Sequence, residues 1–449
     1  MNKAGAAIAH LTPEEKRDLA KRLLRQRGAA VPVVVESSAE VMARQPEGEL
    51  PAAYYSFDHH PLHLNLKERW PVAGPAYFHV HDSIARDTTT IAGREYTNFA
   101  NYNYLGLSGH PRVADAVTEA VQRYGTSVSG SRMVGGERPL HHSLEKALTE
   151  ILDTDDSLAF VSGHSTNVTS IGYLFGPKDL ILHDALAHNS VIMGAILSGA
   201  RRIAFRHNDW QSVDDLLARH RRDFERVLVV VEGVYSMDGD YPDLPQFVEI
   251  RNRHKVFLMV DEAHSLGVLG NRGFGIREHF GLRGTDVDIW MGTLSKALAS
   301  CGGYIAGRES LIFSLRFGAP GFVFSVGLPP ANAAAALTSL EIMKEEPERV
   351  HQLRDKAGYF MKLAKLSGLP TGSSAGVCVV PLIVGDTERC LKLTEALFRR
   401  GINVPPIIYP AVDERSSRLR FFINCTHTNR QIEEAIGIIS EEWRLLHDN

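Results

Sequence analysis

The chain lacks most of the features that assign a protein by composition. Its 449 residues include only four cysteines, Cys301, Cys378, Cys390 and Cys425, with no CxxC spacing among them. That scatter argues against a disulfide framework or a zinc site and points to a reducing, cytoplasmic setting, and no metal is expected. No apolar run approaches the ~20 residues a membrane helix needs, and the first residues lack the charged-then-apolar pattern of a secretion signal. Basic residues are not in excess, with Lys+Arg at 49 against Asp+Glu at 53 and a formal net charge of -4. No basic run interleaved with aromatics appears either, so nothing recommends nucleic acid as a partner. Internal repeats and low-complexity tracts are also missing. What is left is 44% hydrophobic and 23% charged, the balance of an ordinary globular protein. Its length is enough for roughly two or three structural units.

Two textures divide it. In residues 1 to 75, Leu11-Thr12-Pro13-Glu14-Glu15 opens a charged amphipathic helix with Thr12 as N-cap and Pro13 at the first position, running to about Gln26. Val31 to Val35 and Pro51 punctuate a segment of little periodicity before a short helix around Leu62 to Trp70. Both a solvated linker and a docking or interface arm fit this composition. From about residue 76, short apolar runs alternate with helix-length segments: Ser157–Val161, Asp179–Leu182, Arg201–Phe205, Arg226–Val231, Lys255–Val260 and Asp288–Met291. That pattern predicts an α/β fold with a mainly parallel sheet covered on both faces. Leu328-Pro329-Pro330 precedes an Ala-rich helix, Ala331 to Glu346, that leads into a smaller C-terminal α+β domain. The expected units are an arm at 1–75, a large domain at 76–330 and a small domain at 331–449.

The chemistry concentrates after the run Val256-Phe257-Leu258-Met259-Val260, which ends on Asp261-Glu262-Ala263-His264, with Lys296 following in Thr293-Leu294-Ser295-Lys296. Asp261 to Lys296 is the length of one strand-helix-strand crossover. An Asp alone there reads as a helix N-cap. Together, an amine, a carboxylate and an imidazole at one sheet edge suit an electron-sink cofactor, pyridoxal 5'-phosphate, whose aldehyde, ring nitrogen and phenolate need those groups. Ser162-Gly163-His164 after a strand offers a strand-to-helix turn for the phosphate, and Thr293 a hydroxyl to the same anion. His188 fits a ring stacked on the cofactor as well as a core histidine, while His183, His141 and His142 read as structural. Glu232 to Asp240 follows the most apolar strand and so belongs to the ligand crevice, where Ser236 reaches the phenolate region. Arg418 and Arg420 share one face of a C-terminal strand, and an arginine there either clamps a substrate carboxylate or lies on the surface.

Tyr102-Asn103-Tyr104-Leu105-Gly106-Leu107, Glu232 to Asp240, Asp261 to Gly267 and Thr293 to Lys296 fall in an order that resembles the α-oxoamine synthases, a fold-type I pyridoxal-phosphate family. The likeness runs from about residue 90 to the C-terminus. It implies Lys296 as the Schiff-base lysine, Asp261 on the ring nitrogen, and His188 over the ring, these three being the catalytic set. By the same resemblance Ser162, Gly163, His164 and Thr293 hold the phosphate, Glu232, Ser236 and His264 the rest of the cofactor, and Ser325 the neighbouring subunit's phosphate. Arg420, Tyr102 and Ser131 are assigned to the substrate. Tyr102 replaces an asparagine of the biotin branch and is similar to the serine palmitoyltransferase-like branch, and His164 replaces a phenylalanine. The stretch from Gly125 to His141, with the N-terminal arm, resembles synthases attached to polyketide and nonribosomal-peptide assembly lines.

The activity so implied is decarboxylative Claisen condensation of a small amino acid (Gly, Ala or Ser) with an acyl thioester, on CoA or on an acyl carrier protein. The product is an α-amino ketone, for polyketide-type or sphingoid-type biosynthesis. A homodimer with a shared active site is implied too. An aminotransferase of the same fold, or a scaffold subunit without turnover, is the alternative.

Overall fold

β-branched and large apolar residues build the centre of the molecule. The computed structural model describes residues 50–448, so the helix expected from Thr12 to about Gln26 and the Val31 to Val35 stretch lie outside the described residues. The later short helix is present as Pro61–Ala73. Thirteen described strands follow in chain order: β1 Thr88–Ile91, β2 Arg94–Asn98, β3 Asp156–Phe160, β4 Leu180–Asp184, β5 Arg201–Phe205, β6 Val227–Glu232 and β7 Phe257–Asp261 come first. β8 Ile289–Thr293, β9 Gly303–Gly307, β10 Val379–Ile383, β11 Ile402–Asn403, β12 Pro406–Ile407 and β13 Arg418–Phe422 complete the set.

Seven strands form the central sheet in the order β3-β9-β8-β7-β6-β4-β5. All run parallel except β9, which is antiparallel to both β3 and β8. This is the expected α/β architecture, with one antiparallel strand in an otherwise parallel sheet. Side chains alternate between two packed layers. Val229, Val231, Leu258, Val260 and Trp290 join one core, and Leu228, Val230, Met259, Ile289 and Met291 the other. Both layers exclude water, which is why these strands read as unbroken apolar runs. Each such side chain stabilises the fold by about 1.5–3 kcal/mol on burial.

Of the six expected strands only Arg201–Phe205 keeps its bounds; the other five shift by a residue or two, and two of these shifts have a visible cause. Lys255 is not in β7: it takes a left-handed conformation, φ 55°, that closes the helix Leu244–His254. Asp288 precedes β8 because its carboxylate accepts from the Leu258 N–H and from Arg251.

The C-terminal residues supply an antiparallel sheet, β10-β13-β12, and one strand of a second sheet, β1-β2-β11. In that second sheet Ile402 and Asn403 pair in parallel with Thr97 and Asn98. Residues ahead of the central sheet are thus stitched to the last quarter of the chain, and Phe99 packs on Phe421 and Phe360. Contact density groups residues 72–449 as one compact unit. Among the described residues, no helix is long and apolar enough to cross a membrane.

Candidate active site

In an open parallel sheet, ligands collect beyond the carboxyl ends of the strands. Here β6 ends on Glu232, β7 on Asp261 and β8 on Thr293, and the chain leaving β4 reaches His188. β6 and β7 pair with Glu232 directly opposite Asp261. A cavity of about 360 Å³ opens at this edge. It is lined by Tyr102, Ser162, Gly163, His164, His188, Glu232, Ser236, Asp261, His264, Thr293, Lys296 and Arg420. All the sequence-assigned residues but two therefore converge. Ser131 and Ser325 do not line it: Ser131 Oγ donates to the Val323 carbonyl at 2.6 Å, and Ser325 Oγ to the Val326 carbonyl at 3.1 Å.

Lys296 is half-buried, its ammonium 5.7 Å from the centre of the Tyr102 ring. Burial lowers its pKa below that of an ordinary lysine; Asp261 and Glu232 pull it back up, and Arg420 adds to the lowering. Burial likewise raises the Glu232 carboxyl well above its usual range, with Asp261 pushing the same way. The two carboxylates lie side by side at the strand ends, and burial favours the protonated form of Glu232.

Asp261 is fixed by two bonds: Oδ1 accepts from the Ala263 N–H at 3.0 Å and Oδ2 from Asn167 Nδ2 at 2.9 Å. The same Asn167 amide donates to Ser190 Oγ at 2.9 Å, and Ser190 Oγ lies 2.7 Å from His188 Nδ1. His188 is also the N-cap of the helix Asn189–Ser198, and its backbone N–H donates to Glu232 Oε1 at 2.6 Å. Burial lowers the His188 pKa, so the ring enters the cavity neutral. Asn167 and Ser190 thus tie Asp261 to His188, and sequence reasoning missed both.

Ser162 caps the helix Gly163–Leu174, whose first N–H groups have no intrahelical acceptor. A Cβ on Gly163 would sit 2.8 Å from Thr293 Oγ1, so a side chain there would fill the space between turn and hydroxyl. Across the cavity, Arg420 Nη1 donates to the Ser236 carbonyl at 3.0 Å, and Nη2 lies 3.4 Å from Tyr102 Oη. Arg420 Nε is buried without a partner among the described residues. Arg418, its neighbour on β13, is spent on Asp238 at 2.7 Å. The strand therefore presents one arginine to the cavity. His183 and His141, expected to be structural, bond the carbonyls of Asp184 and Leu328.

A larger cavity of about 950 Å³ lies elsewhere, lined by residues such as His79, Asp386, Lys392, Phe398 and Arg415. Its amine and imidazole are already engaged, Lys392 with Glu388 at 2.6 Å and His79 stacked on Phe398 at 4.4 Å, and none of its lining residues ends a strand of the central sheet, so size and chemistry point to different places and the chemistry decides.

The aminotransferase class I and II family matches residues 94–439. An 8-amino-7-oxononanoate synthase of Treponema denticola is 38% identical over 349 residues, covering 78% of this chain and 88% of that protein. A serine palmitoyltransferase of Sphingobacterium spiritivorum is 37% identical over 378 residues, covering 83% and 93%. Among solved structures, a Sphingomonas wittichii serine palmitoyltransferase superimposes with a TM-score of 0.82 at 29% identity, covering 87% of this chain and 98% of that one. A serine palmitoyltransferase from S. paucimobilis, solved with a bound PLP-myriocin aldimine, gives 0.82 at 28% identity and covers 89% and 100%. The chain belongs to the aminotransferase class I and II family and, within it, to the α-oxoamine synthases.

Proposed function

We propose that the cavity at the carboxyl ends of β6, β7 and β8 binds pyridoxal 5'-phosphate on Lys296 and condenses a small amino acid with an acyl thioester, releasing CO2 and the thiol. The condensation and the cofactor are those of the family. The observation that carries the reading for these residues is the convergence of the depressed Lys296 amine, Asp261, two neutral histidines and Arg420 on one cavity.

The residues fit the group. Lys296 supplies an amine for its aldehyde, the helix beginning at Gly163 and the Thr293 hydroxyl receive a phosphate, and Asp261 meets a ring nitrogen. When bound, the cofactor supplies an electron sink for a carbanion at the amino acid's α-carbon. Asp261, held by Asn167, keeps a proton at the ring nitrogen. Arg420 takes the amino acid's carboxylate, its unpartnered Nε and the N–H of Nη2 not directed at Tyr102 leaving donors for a two-point grip. Lys296 Nζ, lowered toward neutrality, accepts the α-proton. His188, which lines the cavity, would pack against the bound group and exclude water.

Ser325 is assigned to a second copy's cofactor in a homodimer. Exposed Phe324 and Val326 on either side of it supply apolar surface for that contact. We assign the arm at 1–75 to docking of a carrier-borne thioester, the large domain to 76–330 and the small one to 331–449. We place the reaction in the cytoplasm, in keeping with the four free cysteines. An aminotransferase would use the same Lys296 and Asp261 and consume no thioester.

The test is incubation of the PLP-loaded protein with glycine, alanine or serine and an acyl thioester on CoA or on a carrier protein, following CO2 and free thiol together. Stoichiometric release of both is expected with one amino acid. A keto acid without thiol release would replace this reading with transamination.

A further inference from the structure

His264 lines the cavity and is fully buried. Burial, with Lys296 and Arg420 nearby, holds its pKa well below the usual histidine value, so the ring is neutral. A neutral imidazole has one N–H and one bare nitrogen, and which is which decides whether it offers the cavity a donor or an acceptor. Among the described residues one side-chain hydrogen bond bears on that choice: His264 Nδ1 lies 2.7 Å from Tyr104 Oη, in a buried pair.

The hydroxyl settles the direction. Burial raises the Tyr104 phenol well above its ordinary value, so the oxygen keeps its proton. That proton needs an acceptor, and among the described residues His264 Nδ1 is the one nitrogen or oxygen within hydrogen-bonding distance of Tyr104 Oη. The nearby Cys378 thiol is a weak acceptor and is directed to the His264 carbonyl at 3.8 Å. If Nδ1 carried the proton, the phenolic O–H would be left without a strong partner in a dry site, which costs about 1–3 kcal/mol. Tyr104 therefore donates, Nδ1 accepts, and Nε2 carries the hydrogen. Nε2 has no protein partner among the described residues, which leaves its N–H for a ligand in the cavity.

We infer that Tyr104 is a positioning residue that fixes the tautomer of His264 so that its Nε2–H stands as a neutral donor to an anionic oxygen in the site. Resting on the proposed function, that oxygen is the phenolate of pyridoxal 5'-phosphate. Tyr102 presses on the same imidazole edge-on, with ring centres 6.0 Å apart, and Phe422 lies nearly parallel to it at 6.4 Å, so the ring is held in orientation as well as in protonation.

Apoenzyme labelled with ¹⁵N in its histidine rings reports the tautomer directly, His264 being identified by the signals lost in His264→Asn. The expected wild-type result is a protonated Nε2 and a bare Nδ1. Tyr104→Phe, which keeps the ring and removes one oxygen, should show both tautomers. Titrating pyridoxal 5'-phosphate into each apoenzyme should show about tenfold weaker binding for Tyr104→Phe. The double variant Tyr104→Phe/His264→Asn should bind no more weakly than His264→Asn alone, because Tyr104 acts through His264. A proton on Nδ1 in the wild type, or additive losses in the double variant, overturns the inference. If Tyr104→Phe does not fold, the wild-type tautomer alone decides. Wild-type apoenzyme that takes up no pyridoxal 5'-phosphate refutes the proposed function, while the ring signals still test Tyr104.

Discussion

Arg132 and Lys296 are both cations drawn into the protein, yet their surroundings are opposite. Arg132 is 5% exposed and every arm of its guanidinium is engaged, with Glu137 at 2.7 and 2.6 Å and Glu145 at 2.5 Å. Burial works against its charge, but the two carboxylates outweigh it and raise its pKa. His207 is closed in the same way, between Asp184 at 2.9 Å and Asp240 at 3.0 Å, and is raised to about 10. Lys296 has no ion pair within 4 Å among the described residues, and its pKa goes down. Buried charge alone does not mark a site. Charge whose bonding capacity is left unspent does, because only that capacity is available to a ligand.

The contrast can be broken at each of its members. Lys296→Ala should abolish turnover and the borohydride-reducible lysine adduct, while the melting temperature stays near that of the wild type. A variant that kept the adduct would move the cofactor's attachment elsewhere. Arg132→Met leaves the buried Glu145 with only its longer ion pair to Arg316 at 3.5 Å, and should cost about 3–5 kcal/mol in urea unfolding with cofactor content per folded chain unchanged. If stability held and cofactor were lost instead, the closed cluster would belong to the site.

Asp261→Asn should retain the cofactor but slow turnover by about 10²-fold, since the amide cannot keep the ring nitrogen protonated. Near-native turnover would free Asp261 to be no more than a cap on Ala263. His207→Asn should cost about 1–3 kcal/mol of stability with a definite pH signature. The folded pKa, about 10, lies above the unfolded 6.5, so the stabilisation is full below 6.5 and is lost as pH rises through about 10. The gap between wild type and variant should close over that window, and a gap that ignored pH would rule out the charged clamp. The smallest effect is expected from deleting residues 1–49. Cofactor and amino-acid binding should be unchanged while acyl transfer from a carrier protein weakens, and loss of cofactor would assign the arm to the site.

What could be read from the sequence was whatever a single element carries. Asp261 and Thr293 each end a strand whose apolar run announces it, and Ser162-Gly163 follows another directly, so a local pattern located the cavity's rim. Asn167, Ser190 and Tyr104 escaped because their contacts are long-range: Asn167 meets Asp261 across 94 residues and Tyr104 meets His264 across 160. β9 was invisible for a different reason. Gly303-Tyr304-Ile305-Ala306-Gly307 has a glycine at each end and three side chains between, too little for a periodic signal, and it enters the sheet by pairing with β3 and β8. Arg418 and Arg420 were equivalent by alternation, and only Asp238, which occupies one of them, separates the two.

Arg420 lies on β13, the last strand of the chain, and the order of synthesis gives that position a meaning. A growing chain emerges N-terminus first, so the residues assigned to the cofactor, up to Lys296, leave the ribosome well before the arginine assigned to the substrate's carboxylate. β13 must also find β10 and the Ser236 carbonyl before Arg420 is in place. On those assignments, a polypeptide stopped short of residue 418 would carry the lysine and carboxylate meant for the cofactor without the arginine meant for the amino acid. If Arg420 does grip the substrate, selectivity is acquired after the cofactor's groups are made, and a truncation ahead of β13 would remove it while leaving them.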